Sequence, residues 1–205
     1  MQQQAPFRNV GVRTLRNIAV GSLVTSLVVL GITLNAGLSQ ASPPVSSPKS
    51  APPACSTSTL DVWFDTSGNG AAGTSYYQLN FTNFSGHTCT LKGYPGVSGV
   101  NITQHQIGSP ANRSSVYPSK DITLTSVSAG AGQGSATSAN TATATIGIVD
   151  TGNYSTSTCK PVIAAGLKVY PPNQKASKYV SFPFSACSKA GVQYLTTSTV
   201  EKSTF

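Results

Sequence analysis

Ile148-Val149-Asp150-Thr151-Gly152 is the one stretch of this chain whose residues carry catalytic meaning. An apolar strand that delivers Asp-Thr-Gly is how aspartic proteases present a carboxylate, and that chemistry needs a second carboxylate close enough to share a proton. Phe64-Asp65-Thr66-Ser67-Gly68 is a near miss for the second copy, and a homodimer is the other source. Asp-Thr-Gly is also ordinary turn chemistry, because an Asp side chain bonds its own backbone two residues on. No Gly-x-Ser-x-Gly elbow exists for a serine nucleophile, and Gly96-Val97-Ser98-Gly99 lacks the spacing. His87 and His105 are single loop histidines. With no Cys-x-x-Cys pair beside them, neither a metal site nor a cofactor is expected.

The second stretch is Cys89-Thr-Leu-Lys-Gly-Tyr-Pro-Gly-Val97. It holds no acid, base or ligand apart from the cysteine, so it reads as scaffold. Pro95 presets φ and Gly96 tolerates positive φ, which predicts a type II turn over Tyr94-Pro95-Gly96-Val97. Gly93, Tyr94, Pro95 and Gly96 form this structural turn. The aromatics Trp63, Tyr76, Tyr154 and Tyr170 are candidates to stack on a sugar or peptide, although such rings more often cap a sheet edge. Asn80, Asn83, Asn101, Asn112 and Asn153 sit in Asn-x-Ser/Thr patterns, which a Ser/Thr-rich chain contains by composition alone.

These groups need a frame, and the cysteines outline it. Cys55, Cys89, Cys159 and Cys187 are an even set, which in an exported chain implies two disulfides. Of the three possible connectivities we take Cys55–Cys89 and Cys159–Cys187, one within each half. Export is read from the start of the chain. Arg8, Arg13 and Arg16 precede the apolar run Ile18–Leu34, and no charge appears between Arg16 and Lys49. Residues 1–41 therefore read as a signal peptide cleaved after Ser39-Gln40-Ala41, or as an N-terminal membrane anchor. The Pro/Ser-rich residues 42–54 read as a linker. Residues 55–205 remain as one domain, long enough to bury a single core.

Charge is sparse: 13 Lys/Arg against 5 Asp/Glu, a formal net of +8. Lys160, Lys168, Lys175, Lys178 and Lys189 lie between Asp150 and Glu201 with no acid among them. They read as solvated lysines on strand edges, or as a face for anionic envelope polymers. Export removes nucleic acid as a partner. A membrane is touched only through residues 18–34, if the leader is retained.

Period-two alternation runs through the domain. Leu60, Val62 and Phe64 predict a first strand closed by a Gly68-Asn69-Gly70 turn. Tyr77, Leu79 and Phe81 predict a second, Thr88 to Lys92 a third and Val97 to Ile102 a fourth. Gln104 to Tyr117 reads as loop, anchored by Ile107. Ile122 and Leu124 predict a further strand, as do Ala142 to Ile148, Leu167 and Val169, Tyr179 to Phe182, and Val192 to Val200. Ala129 to Asn140 reads as a mobile loop. Seven to nine short strands predict an all-β fold, an immunoglobulin-like two-sheet antiparallel sandwich with two disulfides. The N-terminal apolar signal or anchor helix precedes it.

Two blocks then carry a resemblance across nearly the whole domain. The first runs from Gly70-Ala-Ala-Gly through Tyr77-x-Leu-x-Phe-Thr-Asn83 and Cys89-Thr-Leu-x-Gly-Tyr-Pro-Gly-Val97 to Ile107-Gly-x-Pro-Ala111 with Arg113. The second is Asp150-Thr-Gly-Asn-Tyr154, Cys159-x-Pro-Val and Gly166-Leu-x-Val-Tyr-Pro-Pro172. The chain resembles the secreted actinobacterial domain-of-unknown-function family 4232. Segment 126–140 departs from it, the family having a compact Pro-Gly turn there. The resemblance implies an exported, disulfide-bonded β domain and no activity. The expected function is an exported, non-enzymatic envelope or secreted binding module whose partner is an envelope polymer or a protein. The alternative is an aspartic-type hydrolase using Asp150.

Overall fold

Eleven strands are present in the residues described by the computed structural model, 50–128 and 131–204. They are β1 (Leu60–Ala71), β2 (Thr74–Asn83), β3 (Cys89–Leu91), β4 (Gly96–Val100), β5 (Asn112–Arg113) and β6 (Ile122–Leu124). Then come β7 (Thr141–Val149), β8 (Pro161–Tyr170), β9 (Lys178–Cys187), β10 (Leu195–Thr197) and β11 (Glu201–Lys202). A four-residue helix, α1 (Thr156–Cys159), precedes β8. The leader and the linker up to Lys49 lie outside the described residues. Pro53 and Ala54, read as linker, are already tied to β3, since the Thr90 amide donates to the Pro53 carbonyl at 2.8 Å.

Hydrogen bonding divides these strands into three sheets rather than two. A six-stranded sheet has the order β1-β2-β7-β10-β5, with β11 also paired to β7. β3 and β6 form a second sheet, and β4-β8-β9 a third. All ladders are antiparallel except β10 with β5. The sheets share one core. The alternating inward residues Leu79 and Phe81 of β2 and Ala142, Ala144, Ile146 and Ile148 of β7 meet Leu167 and Val169 of β8 in it. Aromatic rings bridge the six- and three-stranded sheets: Phe64 lies 4.5 Å and Tyr77 5.0 Å from Phe182, centroid to centroid. Tyr194 is fully buried, and its hydroxyl donates to the Ile107 carbonyl at 2.8 Å. That bond holds Ile107, the anchor of the 104–111 loop, in the core.

The disulfides are Cys55–Cys89 and Cys159–Cys187, with Cα atoms 5.0 and 4.5 Å apart. The first ties the entry of the domain to β3. The second closes the far ends of β8 and β9, where Pro161 pairs with Cys187. Bridges of this kind form and persist in oxidising environments.

Three local expectations are corrected. Gly68-Asn69-Gly70 is not a turn; β1 continues through it, and its register with β2 shifts between Asp65 and Asn69. The reversal comes later, at Ala72 and Gly73, both at positive φ. A glycine-rich bulge and a turn share composition, so composition does not separate them. Tyr94-Pro95-Gly96-Val97 is not a type II turn, because Gly96 is outside the positive-φ region and begins β4. Gly93 takes the left-handed role, at φ 102°. The Val192–Val200 strand is shorter, broken after Thr197 where the Ser198 hydroxyl accepts from the Thr145 amide.

Candidate functional site

The carboxylates come first. The Asp150 Oδ1 accepts from the Gly152 amide at 2.8 Å and caps the short helical turn Thr151–Asn153. The Asp150 amide and the Asn153 side chain both donate to the Gly73 carbonyl, at 2.8 and 2.9 Å. Asp-Thr-Gly-Asn thus clasps the β1–β2 turn, which explains why the Gly70–Gly73 and Asp150–Tyr154 segments belong together. The Asp65 Oδ1 likewise accepts from the Ser67 amide at 2.8 Å. The two acids are not brought together within one chain. Asp65 pairs with Gln78, and Gln78 with Thr145, five residues short of Asp150. Extended chain of that length spans about 16 Å.

The turn residues are also structural. The Gly93 carbonyl accepts from the Val200 amide at 2.9 Å and the Thr199 hydroxyl at 3.2 Å. Pro95 is buried, and the Arg113 guanidinium stands 5.7 Å from the centre of the Tyr94 ring. The histidines are exposed: His105 bonds Thr103, and His87 offers its carbonyl to Asn83. Asn80 and Asn83 are fully buried, which closes those two Asn-x-Ser/Thr patterns to modification.

Two clefts remain. One lies beside the clasp and is lined by Tyr77, Phe182, Phe184, Asp150, Ser75 and Ser185. The other lies on the outer face of the six-stranded sheet, and of its lining residues only Tyr76 stands out in the sequence. Its floor is two rows across neighbouring strands. Tyr76 of β2 pairs with Gly147 of β7, which pairs with Thr196 of β10. Next to this row Gln78 pairs with Thr145, whose carbonyl accepts from the Ser198 amide. Gly147 clears the floor: a Cβ there would collide with the Thr196 hydroxyl and come within 3.1 Å of the Tyr76 ring. The wall is the segment after β5, fixed by the Ser114 amide donating to Thr197 at 2.8 Å, and it brings Val116 and Tyr117 over the floor. Glu201 of β11 closes the end. Tyr76, Val116 and Tyr117 are 38, 73 and 56 % exposed, so aromatic surface faces solvent here. Among the described residues, the Thr145, Thr196 and Ser114 hydroxyls and the Glu201 carboxylate make no hydrogen bond or ion pair.

Tyr76 was singled out from the sequence; Trp63, Tyr154 and Tyr170 are half-buried instead. The Tyr154 hydroxyl donates to the Gln193 carbonyl, and Lys168 stands over the Tyr170 ring.

A family model described as a domain of unknown function (DUF4232) matches residues 55–201. No curated protein and no solved structure matches the chain.

Proposed function

The chain belongs to the family described as a domain of unknown function (DUF4232), and from that premise we propose that it is an exported, non-enzymatic binding module of the cell envelope or the secreted fraction. The observation that carries this reading is the contrast between two sets of polar groups. The carboxylates with catalytic spacing in sequence are consumed as turn caps. On one sheet face, by contrast, hydroxyls without a protein partner stand beside open aromatic rings. Binding sites have that character: a concave surface of aromatic area with a few placed polar groups. Export rests on the leader pattern and on the two disulfides. The immunoglobulin-like two-sheet sandwich is part of the same reading. It is supported by the ring contacts between β1, β2 and β9, with the β3–β6 pair as an extension.

Co-sedimentation of the full chain with envelope material tests this. The chain pellets with the envelope, and Tyr76→Ala reduces the bound fraction severalfold without lowering Tm. Acid-dependent cleavage of a peptide library that disappears in Asp150→Asn overturns the reading in favour of a hydrolase.

A further inference from the structure

We propose that the groove over Gly147 is a carbohydrate subsite, and that its ligand is a neutral oligosaccharide whose pyranose ring stacks on Tyr76. The inference rests on the binding-module reading above and names the ligand class of that groove.

The argument starts from the floor. Gly147 lets the Tyr76 ring approach β7, within 3.1 Å of where a Cβ would stand, and the residue stays 38 % exposed. A sugar presents C–H groups on one face and hydroxyls around its rim. It therefore needs a flat aromatic surface bordered by donors and acceptors. The Thr196 hydroxyl is placed over Gly147 beside the ring. Thr145 and Ser114 add two more hydroxyls without partners, and Tyr117 adds a second exposed ring. Hydroxyls both donate and accept, as a polyol requires.

Charge selects against the alternatives. The only charged side chain lining this cavity is Glu201, whose carboxylate has no cation partner among the described residues. Within this cavity an anionic ring would meet that carboxylate with no cation beside it, because Lys120 and Lys202 line the neighbouring hollow instead. A simple ammonium ligand would use Glu201 and the rings but leave the hydroxyl rows idle. The volume, about 190 Å³, is below the 300–1,000 Å³ range of drug-sized sites and suits one ring. A neighbouring hollow of about 330 Å³, lined by Pro118, Lys120, Ile122 and Lys202, shares Glu201 with it. Successive rings of one oligomer would occupy the two, with Glu201 accepting hydroxyl hydrogen bonds between them.

The test is calorimetric titration of the full chain with maltohexaose, cellohexaose and N-acetylchitohexaose, set against heparin and glycine betaine. At least one neutral hexaose binds in the micromolar to millimolar range. Tyr76→Ala and Thr196→Val each weaken it at least fivefold, while Tm stays within a few degrees. Thr196→Val keeps the side-chain shape, so it separates a lost hydroxyl from a damaged fold. Three results overturn the proposal: no neutral hexaose binding up to 10 mM on the scale expected of weak sites (about −3 kcal/mol), binding indifferent to both variants, or preference for heparin or betaine. Envelope co-sedimentation that survives such a failure would leave the binding module standing with a different ligand. Asp150-dependent peptide cleavage would remove both.

Discussion

Gly93 and Gly96 sit three residues apart in one loop and answer to different constraints. Gly93 holds φ 102°, while a Cβ on Gly96 would meet only the Tyr170 side chain at 3.4 Å. Gly93→Val should cost about 1–3 kcal/mol through backbone strain, and Gly96→Ala less than about 1 kcal/mol. Thermal melts of the oxidised chain check the order; equal losses would show that strain at Gly93 is not the cause. Asp150 gives a second residue-scale outcome. As a cap, Asp150→Ala should cost about 1 kcal/mol, and Asp150→Asn should retain most of that, since Asn caps as well as Asp. Tyr194 gives a third. Burial pushes its hydroxyl up from 10.0 to about 12. The fold favours the neutral phenol, so this contribution is complete below pH 10 and is lost as pH rises through 12. Wild type should lose on the order of 2 kcal/mol across that window. Tyr194→Phe should show a shallower alkaline decline in denaturant titrations, from a lower starting stability.

At the scale of elements, the Cys159–Cys187 bridge fastens β8 to β9 beyond the bulge where their register shifts between Ala164 and Gly166. Closing a loop with a sequence separation of 28 is worth about 3.6 kcal/mol by loop-closure entropy. The double variant Cys159→Ala with Cys187→Ala should lose about 2–4 kcal/mol, read by urea denaturation at fixed temperature. A loss confined to the ends of β8 and β9 in hydrogen exchange would show local fraying instead. The same elements show what could be read in advance. Strict alternation, as in Ala142 to Ile148, marks a strand with one buried face, and β7 spans it. Glycine does not separate a bulge from a turn, so Gly68-Asn69-Gly70 misled, and Pro-Gly did not reveal that Gly93 would carry the positive φ. The groove was illegible for another reason. Tyr76, Gly147 and Thr196 lie on three strands, and only the ladders put them in line. Each looks in sequence like an ordinary outward position.

At the scale of the molecule, one lysine series among the described residues lies apart from the groove. The acid-free lysine series falls on the three-stranded sheet and its connections: Lys168 on β8, Lys178 on β9, Lys160, Lys175 and Lys189 in adjoining segments. The groove belongs to the six-stranded sheet, and its charge is the Glu201 carboxylate. Those five lysines therefore can attract anionic surfaces without using the groove. The two kinds of binding should separate with salt. Screening shortens the reach of charge from about 10 Å at 0.1 M to about 3 Å at 1 M. Adsorption to vesicles of anionic lipid should fall at least tenfold over that range and should be unaffected by Tyr76→Ala. Retention on envelope material through the groove should change by less than twofold over the same range and should depend on Tyr76. If envelope retention instead collapses with salt and ignores Tyr76→Ala, the lysines are the binding surface and the sheet face is not.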